Sequence, residues 1–257
     1  MILVMGALRE PWQQMERVGI RQTWLAEDIP KVTSLTYFGM KPSRFELIWS
    51  WIDERLRFWP VFGGRCPWDY ILLRTKRLPT VKRRGPNGLE VAVPEVLARA
   101  GEKTLAVLSW SLSNSHFDFL WLSNTSSYVQ VEKVLEWCRG REPKGIYAGS
   151  TTKYRSFSFV SGTGILLSRD VAEAILSERR HWRHDLLVDV ALGQICGRLG
   201  LTAQEIPRLD VTCVEDLNSL STDELREFAH FRCKSISRPM GEIQLMRALH
   251  GILRPPS

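Results

Sequence analysis

Short apolar and β-branched runs alternate along most of this chain with segments whose apolar residues recur at helical spacing, and this alternation limits the fold more than any other feature. Ile2 to Gly6 is an apolar run closed by glycine, as a buried first strand is. Residues 13–25 read as a helix with Met15, Val18 and Trp24 on its inward side. Val32 to Phe38, bounded by Pro30 and Gly39, reads as a strand. Phe45 to Trp59 is apolar at 45, 48, 49, 52, 56 and 59, a helical period halted by Pro60. Residues 60–94 carry weaker signals: a strand at Tyr70–Leu73 and the basic turn Lys82-Arg83-Arg84-Gly85-Pro86-Asn87-Gly88. The series resumes with a helix over Val96–Leu112, a strand over Phe117–Leu122 and a helix facing inward through Val131, Val134, Leu135 and Cys138. Strands at Ile146–Gly149 and Ser158–Leu167 follow, then helices over 169–179 and 185–199. The expectation is a single α/β domain over residues 1–257, with a mainly parallel central sheet covered by helices on both faces. In such sheets ligands bind outside the carboxyl ends of the strands.

Composition narrows the functional classes. With 257 residues, 44% hydrophobic and 25% charged, the chain can bury a large core and is neither fibrous nor disordered. A net charge of +7 favours anionic partners such as nucleotide phosphates, nucleic acid or a membrane surface, without choosing among them. The five cysteines (Cys66, Cys138, Cys196, Cys213 and Cys233) are odd in number and form no CxxC pair, which excludes a disulfide framework and a zinc-ribbon pattern. His181 and His184 stand three apart in HWRHD without a further ligand set, too little for zinc. MILVMGALRE is too short an apolar run for a signal peptide, and no stretch reaches the roughly 18 apolar residues of a membrane span. The expected location is the cytoplasm.

The strand Phe117–Leu122 ends in Ser123-Asn124-Thr125-Ser126-Ser127. Ser127 followed three residues later by Gln130 fits a capping box, and Asn124 to Ser126 suit the turn before it. A cap does not account for five small polar residues after a buried strand. A helix starting near Ser127 would also present free N–H groups to a phosphate or to sugar hydroxyls.

Four separated segments resemble one family. Ile20-Arg21-Gln22-Thr23-Trp24 resembles the "IRxTW" element near the start of the fringe-like β-1,3-glycosyltransferases. DFLWLSNTSSYVQVEKVL (118–135) is similar to their "DFvlkvDDDtfVnvekL", and Phe159 to Asp170 to their "vSGaGyvlSrd". Leu187-Val188-Asp189-Val190-Ala191-Leu192-Gly193 resembles "pvEDVyvG". The order and spacing agree, and bacterial and viral branches with an NTSSY-like segment are the nearer match. The resemblance implies a GT-A fold and an inverting, hexosyltransferase-like enzyme that uses a nucleotide-sugar donor, with a UDP-sugar expected. On the match, Asn124, Thr125 and Ser126 occupy the positions of the acidic triplet that holds a divalent metal. These neutral side chains are weak ligands for such ions, so no metal and no other cofactor is expected.

The same resemblance assigns roles. Asp189 falls on the conserved Asp of "EDV" and is expected to be the general base. Asp185, one helical turn earlier, would share its face and raise its pKa. Arg21, Lys103, Asn124, Thr125, Ser126, Ser127 and His230 are the expected donor-binding residues; Ser161, Gly162, Thr163 and Gly164 with Asp185 would meet the sugar or acceptor. Saccharide is the expected acceptor. Two alternatives stand beside it: transfer to a modified base of phage or viral DNA, with Trp and basic residues of 55–84 forming the pocket, and a non-catalytic nucleotide-sugar-binding protein.

Overall fold

The computed structural model describes residues 1–26, 29–57, 78–154 and 157–254. The expected strand at Tyr70–Leu73, Cys66 and most of the 55–84 segment lie outside the described residues. The chain is α/β, built on an eight-stranded sheet of order β3-β4-β2-β1-β5-β8-β7-β9. Its strands are β1 (Ile2–Met5), β2 (Ser34–Met40), β3 (Val81–Arg84), β4 (Gly88–Pro94), β5 (Phe119–Asn124), β7 (Tyr147–Tyr154), β8 (Phe157–Ser168) and β9 (Gln204–Glu205). A smaller sheet joins β10 (Arg208–Val211), β11 (His230–Cys233) and β6 (Ser127–Val129).

The large sheet is mixed: β1, β2, β4, β5, β7 and β9 run one way, in keeping with the expected mainly parallel sheet, and β3 and β8 run the other. β4, β2, β1 and β5 run parallel to one another, as β7 does to β9, whereas β8 is antiparallel to both β5 and β7, and β3 to β4. The reason is connectivity. β3 and β4, and likewise β7 and β8, follow one another with no room for a crossover helix, and strands joined that closely must pair antiparallel.

Alternation along the central strands divides the interior into two layers, as the two-residue period of a strand requires. Leu3, Leu120, Leu122, Ile165 and Leu167 point into one layer, which α3 (Ala100–Asn114), α5 (Arg169–Ser177) and α6 (Val188–Arg198) cover through Leu105, Leu108, Val171, Ile175, Leu192 and Ile195. Ile2, Val4, Trp121 and Leu166 point into the other. That layer is closed by α4 (Val131–Cys138), α9 (Met240–Leu253) and the small sheet, through Val134, Leu245, Met246, Leu249 and Phe231. Helices on both faces are therefore observed. The helix α1 (Trp12–Gln14) continues as a π-helical turn over Met15–Ile20, and α2 spans Arg44–Arg57. Two short helices, α7 (Val214–Asn218) and α8 (Thr222–Arg226), link β10 to β11. Among the described residues no helix is long and apolar enough to cross a membrane.

One topological feature positions the site. β1 lies between β2 and β5, with Met5 beside Tyr37 on one side and Asn124 on the other. The chain leaves β1 for β2 and β4 in one direction, then returns to place β5 on the opposite flank. The strand order reverses between β1 and β5, the place at which open α/β sheets leave a crevice beyond the carboxyl ends of their strands.

Candidate functional site

A cleft of about 630 Å³ opens at that reversal. Its floor is Met5, Gly6 and Ala7 at the end of β1 and Asn124, Thr125 and Ser126 at the end of β5; its walls include Trp12, Trp51, Glu95 and Lys103. Four of the expected donor-binding residues (Lys103, Asn124, Thr125 and Ser126) thus come together, although Lys103 is far from the others in sequence.

The polar segment after β5 is not a helix cap. Ser127 begins strand β6 and pairs with Arg232 of β11, while α4 starts only at Val131 and takes no side-chain cap from Gln130. The Ser127 hydroxyl is fully buried and donates to the Thr163 carbonyl at 2.6 Å. Both the capping box and the phosphate-binding helix N-terminus near Ser127 are therefore overturned, because sheet pairing with a distant strand outweighs the local capping pattern. Asn124 makes the turn instead. Its Oδ1 accepts the Ser126 N–H at 3.0 Å, an Asx-turn, and lies 3.3 Å from the Ser127 hydroxyl oxygen. Its amide nitrogen has no partner among the described residues.

Lys103 is buried, and its ammonium pairs with Glu95, whose other carboxylate oxygen accepts the Gly39 N–H. It braces α3 against the end of β4, and its charge is met by Glu95. Arg21 donates to Glu16 and, at 2.9 Å, to Thr36 Oγ1, fastening the π-helical turn to β2 outside the cleft lining. His230 is 1% exposed on β11 and lies edge-to-face against Trp121, with ring centroids 5.7 Å apart. Burial first, then the charges of Arg208 and Arg232, push its pKa down to about 3. It is a neutral ring behind the sheet, which corrects its expected place on a phosphate.

Ser161-Gly162-Thr163-Gly164 forms a bulge in β8. Gly149 pairs with Ile165 and Thr151 with Val160, so four residues of β8 stand opposite Ser150 alone. The bulge brings the backbone toward the Asn124–Ser127 turn, where the Thr163 carbonyl also accepts Ser123 Oγ at 3.1 Å. Side chains stand close beside its glycines. A Cβ on Gly164 would lie 2.5 Å from Trp121 and 2.7 Å from His230, and one on Gly162 would lie 3.0 Å from the Asp189 carboxylate. Gly164 is thus buried by close packing of side chains, whereas Ser161 and Gly162 remain partly exposed.

Asp189 stands in the first turn of α6, partly exposed, and accepts the N–H of Gly162 and of Val190, each at 2.9 Å. It is connected to the cleft floor through Gly162, Thr163 and Ser127. Asp185 does not share its helical face. It precedes α6, and both of its carboxylate oxygens are bound by Arg183, one of them at 2.7 Å.

Sequence reasoning missed Arg9, Trp12, Trp51 and Glu95 in the cleft lining, and Arg238 beside it. Arg238 donates to Ser126 Oγ at 2.9 Å, pairs with Glu242 and covers the Trp12 ring at 4.9 Å. Arg9 and Trp12 could have been found from position alone, since they lie in the loop after the first strand and at the start of the helix that follows it. Among the described residues no group of three or more His, Cys, Asp or Glu side chains is arranged to hold a metal ion. No family model matches the chain, and no curated protein matches it either.

Proposed function

We propose that this protein is a nucleotide-sugar-dependent inverting glycosyltransferase of the GT-A type, with its donor in the cleft between the ends of β1 and β5 and Asp189 as general base. One observation carries the reading: the Asn124-Thr125-Ser126 segment forms the floor of the cleft at the reversal of strand order, with Asp189 joined to it through the β8 bulge. Inverting transfer requires these two parts at neighbouring positions. A base removes the proton of the acceptor hydroxyl as its oxygen bonds to the anomeric carbon; the bond from that carbon to the nucleoside diphosphate breaks, and the diphosphate leaves with the electron pair. Trp12 and Trp51 give the cleft flat apolar surfaces suited to a base or a sugar ring.

The test is a panel of nucleotide sugars, UDP-sugars first, incubated with the protein in excess EDTA while donor hydrolysis and transfer to saccharides are followed. Turnover that persists in EDTA and is lost in Asp189→Asn supports the reading. Donor binding without turnover in the wild type identifies a binding protein instead. If no nucleotide sugar raises the melting temperature or gives a binding heat, the premise fails.

A further inference from the structure

The cleft floor carries no acidic side chain, yet a cation is fixed against it. Arg238 arrives from the segment between β11 and α9, 112 residues after Ser126, whose hydroxyl it holds at 2.9 Å. Its guanidinium covers the face of Trp12, and both Trp12 and Ser126 line the cleft. A guanidinium has five N–H donors. Among the described residues Arg238 uses its Nε on Glu242 and one Nη2 donor on Ser126, so its remaining donors have no partner. The side chain is 35% exposed, whereas its partner Glu242 is fully buried. Burial pushes the Glu242 carboxyl above its ordinary value while Arg238 pulls it down.

Other positive charges are less available or less fixed. Lys103 is consumed by Glu95, and Arg208 and Arg232 share Asp210. Arg9 lines the cleft, is exposed and makes no ion pair among the described residues, but nothing orients it. Among the described residues Arg238 alone combines a fixed position, open donors and contact with two lining residues.

We infer that Arg238 is the phosphate-binding residue of the cleft, holding the diphosphate of a nucleoside diphosphate against Asn124 and Ser126. The inference rests on the donor reading above. Arg suits phosphate because its planar fork offers paired donors, and a cation already in place needs no reorganisation as charge develops on the leaving group.

The experiment titrates inorganic pyrophosphate, UDP and uridine into wild-type protein and into Arg238→Gln, Arg238→Lys and the double variant Arg238→Gln/Glu242→Gln, by calorimetry in excess EDTA. The double variant leaves no buried carboxylate unpaired, and its melting curve checks folding. The expected result is a loss of about 10- to 100-fold in pyrophosphate and UDP affinity in both Gln variants, with uridine unchanged and Arg238→Lys intermediate. Equal UDP and pyrophosphate affinity in wild type and a folded double variant overturns the inference and leaves the donor reading intact, provided the wild type turns over a nucleotide sugar. Absence of UDP and pyrophosphate binding in the wild type overturns the inference, and absence of donor turnover in the same preparation removes the donor reading with it.

Discussion

Asp189 Oδ2 accepts the Gly162 N–H at 2.9 Å, so the first turn of α6 is fastened to the β8 bulge. The bond fixes a carboxylate while leaving it partly exposed. Asp189→Asn keeps one acceptor oxygen, enough for the Gly162 amide, gives up the one that Val190 N–H uses, and cannot remove a proton. Transfer is expected to fall by about 10²- to 10⁴-fold with little change in melting temperature. Asp189→Ala also loses the tether and should cost about 1 kcal/mol of stability in urea unfolding. If Asp189→Asn retains full transfer, the base lies elsewhere.

The two glycines of the bulge have different neighbours and should respond differently to alanine. A Cβ on Gly164 meets the buried rings of Trp121 and His230 at 2.5 and 2.7 Å, and neither can move without disturbing the layer beneath. Overpacking of this kind costs about 1–3 kcal/mol. At Gly162 the nearest atoms are Cβ and Oδ2 of Asp189, each at 3.0 Å, so an added methyl presses on this partly exposed carboxylate rather than on a buried ring. Gly164→Ala is therefore expected to lower stability, and Gly162→Ala to lower turnover more than stability. Calorimetric melting beside a transfer assay separates the two.

Legibility in the sequence followed the range of the interaction. The strand read over Phe117–Leu122, observed over Phe119–Asn124, and the polar residues at its carboxyl end were readable, because an apolar run and the turn-forming Asn are local signals. The role of Ser127 was not. Ser followed by Gln at three residues is a cap in isolation, and only pairing with Arg232, far along the chain, makes it a strand. Resemblance alone places Lys103 on the donor, and its partner Glu95 lies outside α3, so no helical pairing signal points to it. Arg238 gave no signal, since Ser126 lies 112 residues away.

The Lys103–Glu95 pair makes a separable prediction. Both side chains are almost fully buried, at 3% and 9% exposure. Removing one partner of a buried pair strands the other charge and typically costs about 3–5 kcal/mol. Lys103→Met should be destabilised by that order in urea unfolding, and Lys103→Met/Glu95→Gln should recover most of the loss. A Lys103→Met protein of wild-type stability but poor donor affinity would instead make Lys103 a ligand-binding cation.

His230 sets an acid limit on the fold. Its pKa falls from 6.5 to about 3 on folding, first because the ring is buried and then because Arg208 and Arg232 oppose a second positive charge. Below pH 6.5 the unfolded chain takes up a proton that the folded chain refuses, so this contribution is fully present above pH 6.5 and is lost as pH falls toward 3. The slope reaches about 1.4 kcal/mol per pH unit. The Nε2 atom is buried without a partner among the described residues, and the ring packs edge-to-face on Trp121, so His230→Phe keeps the packing and removes the titrating group. Urea unfolding of both proteins across a pH series should give curves that diverge below pH 6.5, with His230→Phe the less acid-sensitive. Parallel curves over that window would mean that the His230 ring is protonated in the folded protein, and the buried neutral imidazole behind the bulge would have to be abandoned.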